Sequence, residues 1–452
     1  MRAVYRLLFI ASCGLATSLA VAASPTAVEY YHGGYGHYFV TASPPEIAAL
    51  DTGRFPGWSR TGESFGVLDL DTAGAANVCR FWSGQTFAPK SSHFYTPFAW
   101  ECAIVKGNPG WQFEGEVFAM NLPDAAGSCA DGTVPLYRLY NDGQGGAPNH
   151  RYTTSPSTRS AMLAQGWIAE GSGVGVIGCV PVPAPVTIVA AGDIAQCFDA
   201  PAAGSGAART AALVTPQDAL VLTLGDHAYE NGTPAEFANC FDPTWGAFKD
   251  RIRPSPGNHD YNTPGAEGYF AYFGAQAGPN RRGYYSFDYG GWHFISLDSL
   301  VGVSAQSDQY LWLKADLAQS SDRLCTIAYW HYPAFNSGAI YGSVMEMRPF
   351  FDALYAAGVE MVLSGHEHIY ERFAPQKSDG TADPARGVRQ FVIGTGGHEL
   401  NPLDVPLPNS EFRYNASWGV LRLTLGQSDY SWQFLPVGGG APIDSGAGTC
   451  HR

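Results

Sequence analysis

Between Val186 and His368 the chain five times writes an apolar, β-rich run and ends it at a side chain able to hold a cation. Val186-Thr-Ile-Val-Ala-Ala-Gly192 runs into Asp193, and Ala219-Leu-Val-Leu-Thr-Leu224 into Gly225-Asp226-His227-Ala228-Tyr229. Ile252 to Pro256 is followed by Gly257-Asn258-His259-Asp260, Leu324-Cys-Thr-Ile-Ala-Tyr-Trp330 by His331, and Val359-Glu-Met-Val-Leu363 by Ser364-Gly365-His366-Glu367-His368. Short continuous apolar runs are how strands buried on both faces read, and open α/β sheets place their sites at strand C-termini. A single Asp after a strand is usually a turn former. Five such endings in order bring carboxylates, an amide oxygen and three imidazoles to one sheet edge, a ligand set for two adjacent divalent or trivalent ions sharing one carboxylate.

Upstream, one pattern recurs three times: an aromatic start, a turn, His with aromatics and Thr, then Gly-Trp and a short Gly/Glu strand. The copies are Tyr30-Tyr31, His37-Tyr38-Phe39-Val40-Thr41, Gly57-Trp58 and Gly62-Glu63; Phe81-Trp82, His93-Phe94-Tyr95-Thr96, Gly110-Trp111 and Glu114-Gly115; and Tyr137 to Tyr140, His150-Arg151-Tyr152-Thr153, Gly166-Trp167 and Glu170-Gly171. A period of about 55 residues predicts a closed, pseudo-threefold β-rich module, because one copy alone cannot bury its apolar face. Short helices are expected at Ser43 to Leu50 and Ser157 to Gln165, where Ser-Pro openings precede apolar residues at helical spacing. His37, His93 and His150 sit at the same place in each copy and read as hydrogen-bonded structural residues among core aromatics.

The module is assigned to residues 24–180. Cys179-Val-Pro-Val-Pro-Ala-Pro185 then stiffens a connector, 181–185, and a second domain spans 186–452. At the start, Arg2 and Arg6 precede an apolar stretch that reaches small residues at Ala22-Ala23, so residues 1–23 read as an export signal and the protein as secreted or periplasmic. No later stretch is long enough to span a bilayer. Of nine cysteines, Cys13 falls in the leader. The remaining even set suits disulfides in an exported chain; eight cysteines allow about 105 pairings, among which the local pairs Cys79–Cys102, Cys129–Cys179 and Cys197–Cys240, with Cys450 to Cys325, are candidates that the sequence leaves open. A net charge of −14 argues against a nucleic-acid or anionic-membrane partner.

Taken together, Gly-Asp at 192–193, Gly-Asp-x-x-Tyr at 225–229, Gly-Asn-His-Asp at 257–260, the strand-end His331 and Gly-His-x-His at 365–368 resemble the ordered motifs of the calcineurin-like metallophosphoesterases, over about Val186 to Phe434. Asp226-x-x-Tyr229 and Gly365-His-Glu-His-Ile-Tyr-Glu-Arg372 are similar to the purple acid phosphatase branch. The resemblance implies an α/β fold, a four-layer α/β/β/α sandwich. It also implies an Fe(III) site of Asp193, Tyr229 and His368, a second divalent ion (Fe, Zn or Mn) on Asn258, His331 and His366, and Asp226 as the bridge. In that family a metal-bound hydroxide attacks phosphorus; His259 would hydrogen-bond the phosphate or assist the leaving group, with Asp260 orienting it. The first motif commonly reads Asp-x-His, but Asp193 is followed by Ile194-Ala195 and Tyr229 takes the role. The histidines that plant members carry after the strand-end His are also missing from Tyr332 to Arg348, leaving Tyr341 or His227 as substitutes. Gly394-Thr-Gly-Gly could place His398 near the site, but the stretch reads better as a turn.

The N-terminal part is similar to an aromatic repeat module appended to secreted bacterial enzymes, which implies a glycan or cell-surface ligand. The expected activity is hydrolysis of small phosphomonoesters by an exported dimetal enzyme. The alternatives are a phosphodiesterase or nucleotidase of the same fold, or a surface-binding protein whose metal site is vestigial.

Overall fold

Each aromatic repeat folds into an antiparallel sheet with its aromatic start as the central strand. The computed structural model describes residues 25–182, 184–197, 204–216, 219–320 and 323–451; the expected export signal at 1–23 lies outside the described residues. Thr26–His32 is flanked by His37–Thr41 and Trp58–Gly66, and Ala76–Trp82 by His93–Thr96 and Gln112–Met120. Thr133–Tyr140 is flanked by His150–Thr153 and Val176–Pro181, with Ile168–Glu170 added. All three copies contribute to one core: Ala27, Val40 and Phe65 meet Val78, Tyr95 and Phe118, and Leu136, Tyr152 and Ile177. Buried hydroxyls tie the copies together, since Tyr95 donates to the Val40 carbonyl at 2.6 Å and Tyr152 to the Tyr95 carbonyl at 3.2 Å.

The repeats differ from the expected alignment in one respect. Thr41, Thr96 and Thr153 are the equivalent positions, each accepting from the backbone amide two residues on. The first copy has one more residue between His and Thr, so His93 and His150 match Tyr38, whereas His37 matches Ser92 and Asn149. A one-residue slip turns a side chain to the other face of a strand, and the three histidines are therefore not equivalent.

At two of the three junctions between copies an arginine sits between carboxylates, Arg80 with Glu46 and Glu114, and Arg138 with Glu101 and Glu170. The third junction is charge-inverted, with Arg151 reaching a fully buried Glu29. There the second domain docks: Arg323 lies 3.6 Å from Glu63 and 3.1 Å from Asp288.

Among the described residues the second domain is framed by two large sheets, beside a small one that pairs Ala195–Gln196 with Ala228–Tyr229. One large sheet runs, in spatial order, Ile252–Ser255, Leu220–Leu224, Val186–Ala191, Gly419–Leu425, Asp429–Pro436, Asp444–Thr449. The other runs Tyr285–Tyr289, Trp292–Ser296, Thr326–Tyr329, Met361–Ser364, Arg389–Ile393, Tyr370–Phe373, Ser410–Tyr414. The first three strands of one sheet are mutually parallel, as are Trp292–Ser296 through Arg389–Ile393 in the other, so their C-terminal ends open on one edge. Strand alternation explains the layering. Phe294, Ile327, Met361 and Phe391 pack toward the first sheet, while Ile295, Ala328, Val362 and Val392 pack under the helices Asp308–Gln319 and Arg348–Ala357. On the first sheet's outer side lie Phe237, Phe241, Trp245 and Tyr269. This is the expected α/β sandwich behind a β-rich domain.

Four disulfides join Cys79 to Cys102, Cys129 to Cys179, Cys197 to Cys240 and Cys325 to Cys450. Among the described residues no helix is long and apolar enough to cross a membrane.

Candidate metal centre

The strand-end residues converge on two adjoining donor clusters. In the first, the Tyr229 hydroxyl lies 2.9 Å from Asp193 Oδ1, 3.1 Å from Asp226 Oδ2 and 3.3 Å from His368 Nε2. In the second, His331 Nε2 lies 3.0 Å from Asn258 Oδ1 and 3.3 Å from Asp226 Oδ2. His366 joins it, its ligand atom falling with those of Asp226 and His331 inside a 4.8 Å set. Asp226 Oδ2 thus belongs to both clusters. Asp193, Asp226 and His366 have φ of 60°, 52° and 72°, a left-handed backbone that is uncommon for non-glycine residues.

The donor set fits cations. Asp193 and Asp226 are buried at 0% and 1% exposure, and one phenol proton cannot satisfy both carboxylates and an imidazole at once. A bound cation would supply the missing positive charge. The imidazoles are oriented for it, because His331 Nδ1 is held by the Leu224 carbonyl and His368 Nδ1 by the Glu399 carbonyl, each at 2.7 Å, which leaves Nε2 for the site. Burial, then the charges of Asp193 and Asp226, pushes the Tyr229 phenol well above its ordinary value; only a strong cation would turn it into a phenolate. Burial opposes protonation of His331, but the Asp226 carboxylate outweighs it and raises the ring to about 9. That proton is one a cation would displace. Burial, then the charge of His331, lowers His366 to about 3.

His259 stands beside the clusters. Its Nδ1 is fixed by the Glu230 carbonyl at 2.7 Å, its backbone amide donates to Asp226 Oδ1 at 2.8 Å, and its Nε2 lies 4.0 Å from Asp226 Oδ2. Asp260 does not take the orienting role expected of it. Its carboxylate accepts from the backbone amides of Asp226, His227 and Gly257 and from His227 Nδ1. It thereby fixes the two loops that carry Asp226 and Asn258. His227 is likewise corrected as a substitute acid: it is fully buried, its Nε2 bound to Thr223 Oγ1 at 2.7 Å, inside a cage of Phe237, Phe241, Tyr269 and Phe273.

His398 corrects the turn reading. Its ring lies 3.9 Å from that of Tyr229 and 4.7 Å from that of His368, and its amide donates to the Asp193 carbonyl at 3.0 Å. Glycine makes this approach available, since a Cβ at Gly396 would collide with the Gly192 carbonyl. The signal was present in the sequence, for Gln390-Phe-Val-Ile393 is a sixth apolar strand run ending in a ligand-type residue. Tyr341 and Tyr332 face the other side of the site, their rings 4.3 and 4.4 Å from that of His366.

The family model described as "Calcineurin-like phosphoesterase" matches residues 186–370, and that described as "Domain of unknown function (DUF5648)" matches residues 26–177. The chain is 32% identical over 243 residues to purple acid phosphatase 18 of Arabidopsis thaliana, covering 48% of this chain and 51% of that protein. It is 38% identical over 161 residues to purple acid phosphatase 22 of the same plant, covering 33% and 36%. The chain therefore spans about half or less of the length of these curated relatives. The structure of the purple acid phosphatase PPD1 from yellow lupin (Lupinus luteus) seeds superposes with a TM-score of 0.51 at 17% identity, covering 85% of this chain and 71% of that one, a likeness of fold. Residues 186–370 thus match the calcineurin-like phosphoesterase model and are similar in sequence to purple acid phosphatases, behind a segment that matches the DUF5648 model.

Proposed function

We propose that the chain is an exported, metal-dependent phosphoester hydrolase acting on small phosphomonoesters. The observation that carries this is the sharing of Asp226 Oδ2 between a Tyr-Asp-His cluster and an Asn-His-His cluster. Asp193, Tyr229 and His368 would hold a ferric ion, since an anionic phenolate favours a hard trivalent cation; Asn258, His331 and His366 would hold a divalent one, and Asp226 would bridge. When bound, such a pair supplies Lewis-acid neutralisation of the phosphoryl oxygens and activation of water. The chain's own residues do the rest. His259 is held by Glu230 with Nε2 toward the shared carboxylate, in position to bond a phosphoryl oxygen or protonate the departing alcohol. Asp260 and the Leu224 and Glu399 carbonyls hold ligands in register before anything binds.

The four disulfides support export, because such bonds persist in oxidising compartments. For the N-terminal domain we propose surface attachment through glycans. Phe94, Trp111, Tyr140 and His150 line an open cleft of about 200 Å³ between the second and third copies, and aromatic faces with a polar partner suit sugar rings.

Hydrolysis of an aryl phosphate monoester and of the matching diester by metal-replete protein, with Asp226→Asn as the blank, tests the catalytic reading. Monoester turnover lost in the variant is expected. A diester preference would move the chain to phosphodiesterase chemistry, and no turnover of either above the blank would contradict the reading.

A further inference from the structure

Resting on the phosphoesterase reading, a second layer of the site concerns the alcohol half of the ester. The loop Asn336 to Ser343 carries Tyr341 to the metal centre, and two buried carboxylates fix it there. Glu367 accepts from Asn336 Nδ2 at 2.8 Å and from the Tyr341 amide at 3.0 Å; Glu371 accepts from the Ser337 amide at 2.7 Å. Glu367 also takes Asn401 Nδ2 at 2.9 Å, tying the loop to the segment that carries His398. Gly338 is required by this packing, since a Cβ there would run into the Glu367 carboxylate. The Ala339 amide adds a bond to the Pro402 carbonyl at 3.0 Å. Every one of these anchors at Tyr341 itself is to backbone, so the side chain is not what holds the loop.

That side chain has two faces. One lies nearly parallel to the candidate ligand His366, with ring centres 4.3 Å apart and planes 26° apart. Tyr341 is nevertheless 47% exposed, and its neighbour Ile340 is 54% exposed. An aromatic face backed by an imidazole and open on its other side, beside the place where a phosphoryl group would sit, is built to meet a flat apolar group. Tyr332, tilted against His366 at 4.4 Å, closes the wall behind it. We propose that Tyr341 is a specificity-determining residue that stacks on the leaving group, selecting phosphate esters of planar aromatic alcohols over those of small aliphatic ones. The ring acts through its face, so the hydroxyl is dispensable for this selection. An offset aromatic pair gives about a three- to tenfold preference.

Two readouts test this on the metal-replete full chain. The first is calorimetric binding of phenylphosphonate against methylphosphonate; the second is kcat/KM for phenyl phosphate against glycerol phosphate. Wild type should bind the phenyl compound about three- to tenfold more tightly. Tyr341→Phe should keep that preference, and Tyr341→Ala should abolish it while retaining affinity for methylphosphonate. The same variants should shift the ratio of kcat/KM values in parallel. Loss of both phosphonates in equal proportion in Tyr341→Ala, an unchanged preference in it, or loss of preference in Tyr341→Phe would overturn the assignment with the phosphoesterase reading intact. Binding of neither phosphonate together with no turnover of either ester would overturn both.

Discussion

His293 is predicted to make the seam between the two domains sensitive to alkaline pH. Its Nδ1 lies 2.7 Å from Asp288 Oδ1 and its Nε2 2.9 Å from Asp316 Oδ2, with a side chain 7% exposed. Asp288 in turn holds Arg323, which reaches Glu63 of the N-terminal domain. Burial alone would favour the neutral ring, but the two carboxylates outweigh it and raise His293 from 6.5 to about 9. Because the folded value is the higher, the stabilisation is fully present below about pH 6.5 and is lost as pH rises through about 9. At 1.36 kcal/mol per pH unit the difference comes to about 3 kcal/mol. So enclosed a pair is little screened by solvent, unlike a surface ion pair. Urea unfolding of the metal-loaded protein at pH 6 and pH 10, for wild type and His293→Gln, reads it out. Wild type should lose about 3 kcal/mol more than the variant over that interval, because every other titrating group is common to both. Identical pH dependence in the two proteins would refute the reasoning.

Three further outcomes are expected. Asp260→Asn, which replaces an acceptor of two loops by a group that also donates, should weaken metal affinity by about 10- to 100-fold in a competition titration with a chelating dye; unchanged affinity would remove it from the support of the site. Reducing the chain between residues 125 apart by Cys325→Ser with Cys450→Ser should cost about 4–5 kcal/mol on the chain-entropy model, read as a lower urea midpoint, and an unaltered midpoint would contradict it. Tyr229→Phe should bleach the visible absorption expected of a ferric tyrosinate while leaving the far-ultraviolet circular dichroism unchanged; a colourless wild type with full turnover would overturn the ferric assignment.

Much of the fold was legible because parallel strands buried on both faces announce themselves as unbroken apolar runs, and their ends share one edge by topology. That is why Asp193, Asp226, Asn258, His331, His366 and His368 come together although they span much of the domain. Direction along a strand end was harder to read. Asp226 takes a left-handed backbone, and the next residue, His227, turns into the aromatic interior rather than toward the site. Asp260 follows it inward for the same reason, as the partner of His227. His398 was hidden by glycines that resemble a turn and in fact allow a close backbone crossing. The pairing of Arg323 with Glu63 was out of reach, since nothing local links positions in different domains. In the repeat, the extra residue in the first copy was visible, but only the three threonine anchors reveal on which side of the histidine it falls.

The sharing of Asp226 between two clusters is tested most directly by counting ions. Elemental analysis of purified wild type loaded with iron and a divalent metal should give about two ions per chain, and Asp226→Asn at most one, with hydrolysis lost alongside. One ion or none in wild type, or two retained by Asp226→Asn, would contradict a bridged dimetal centre.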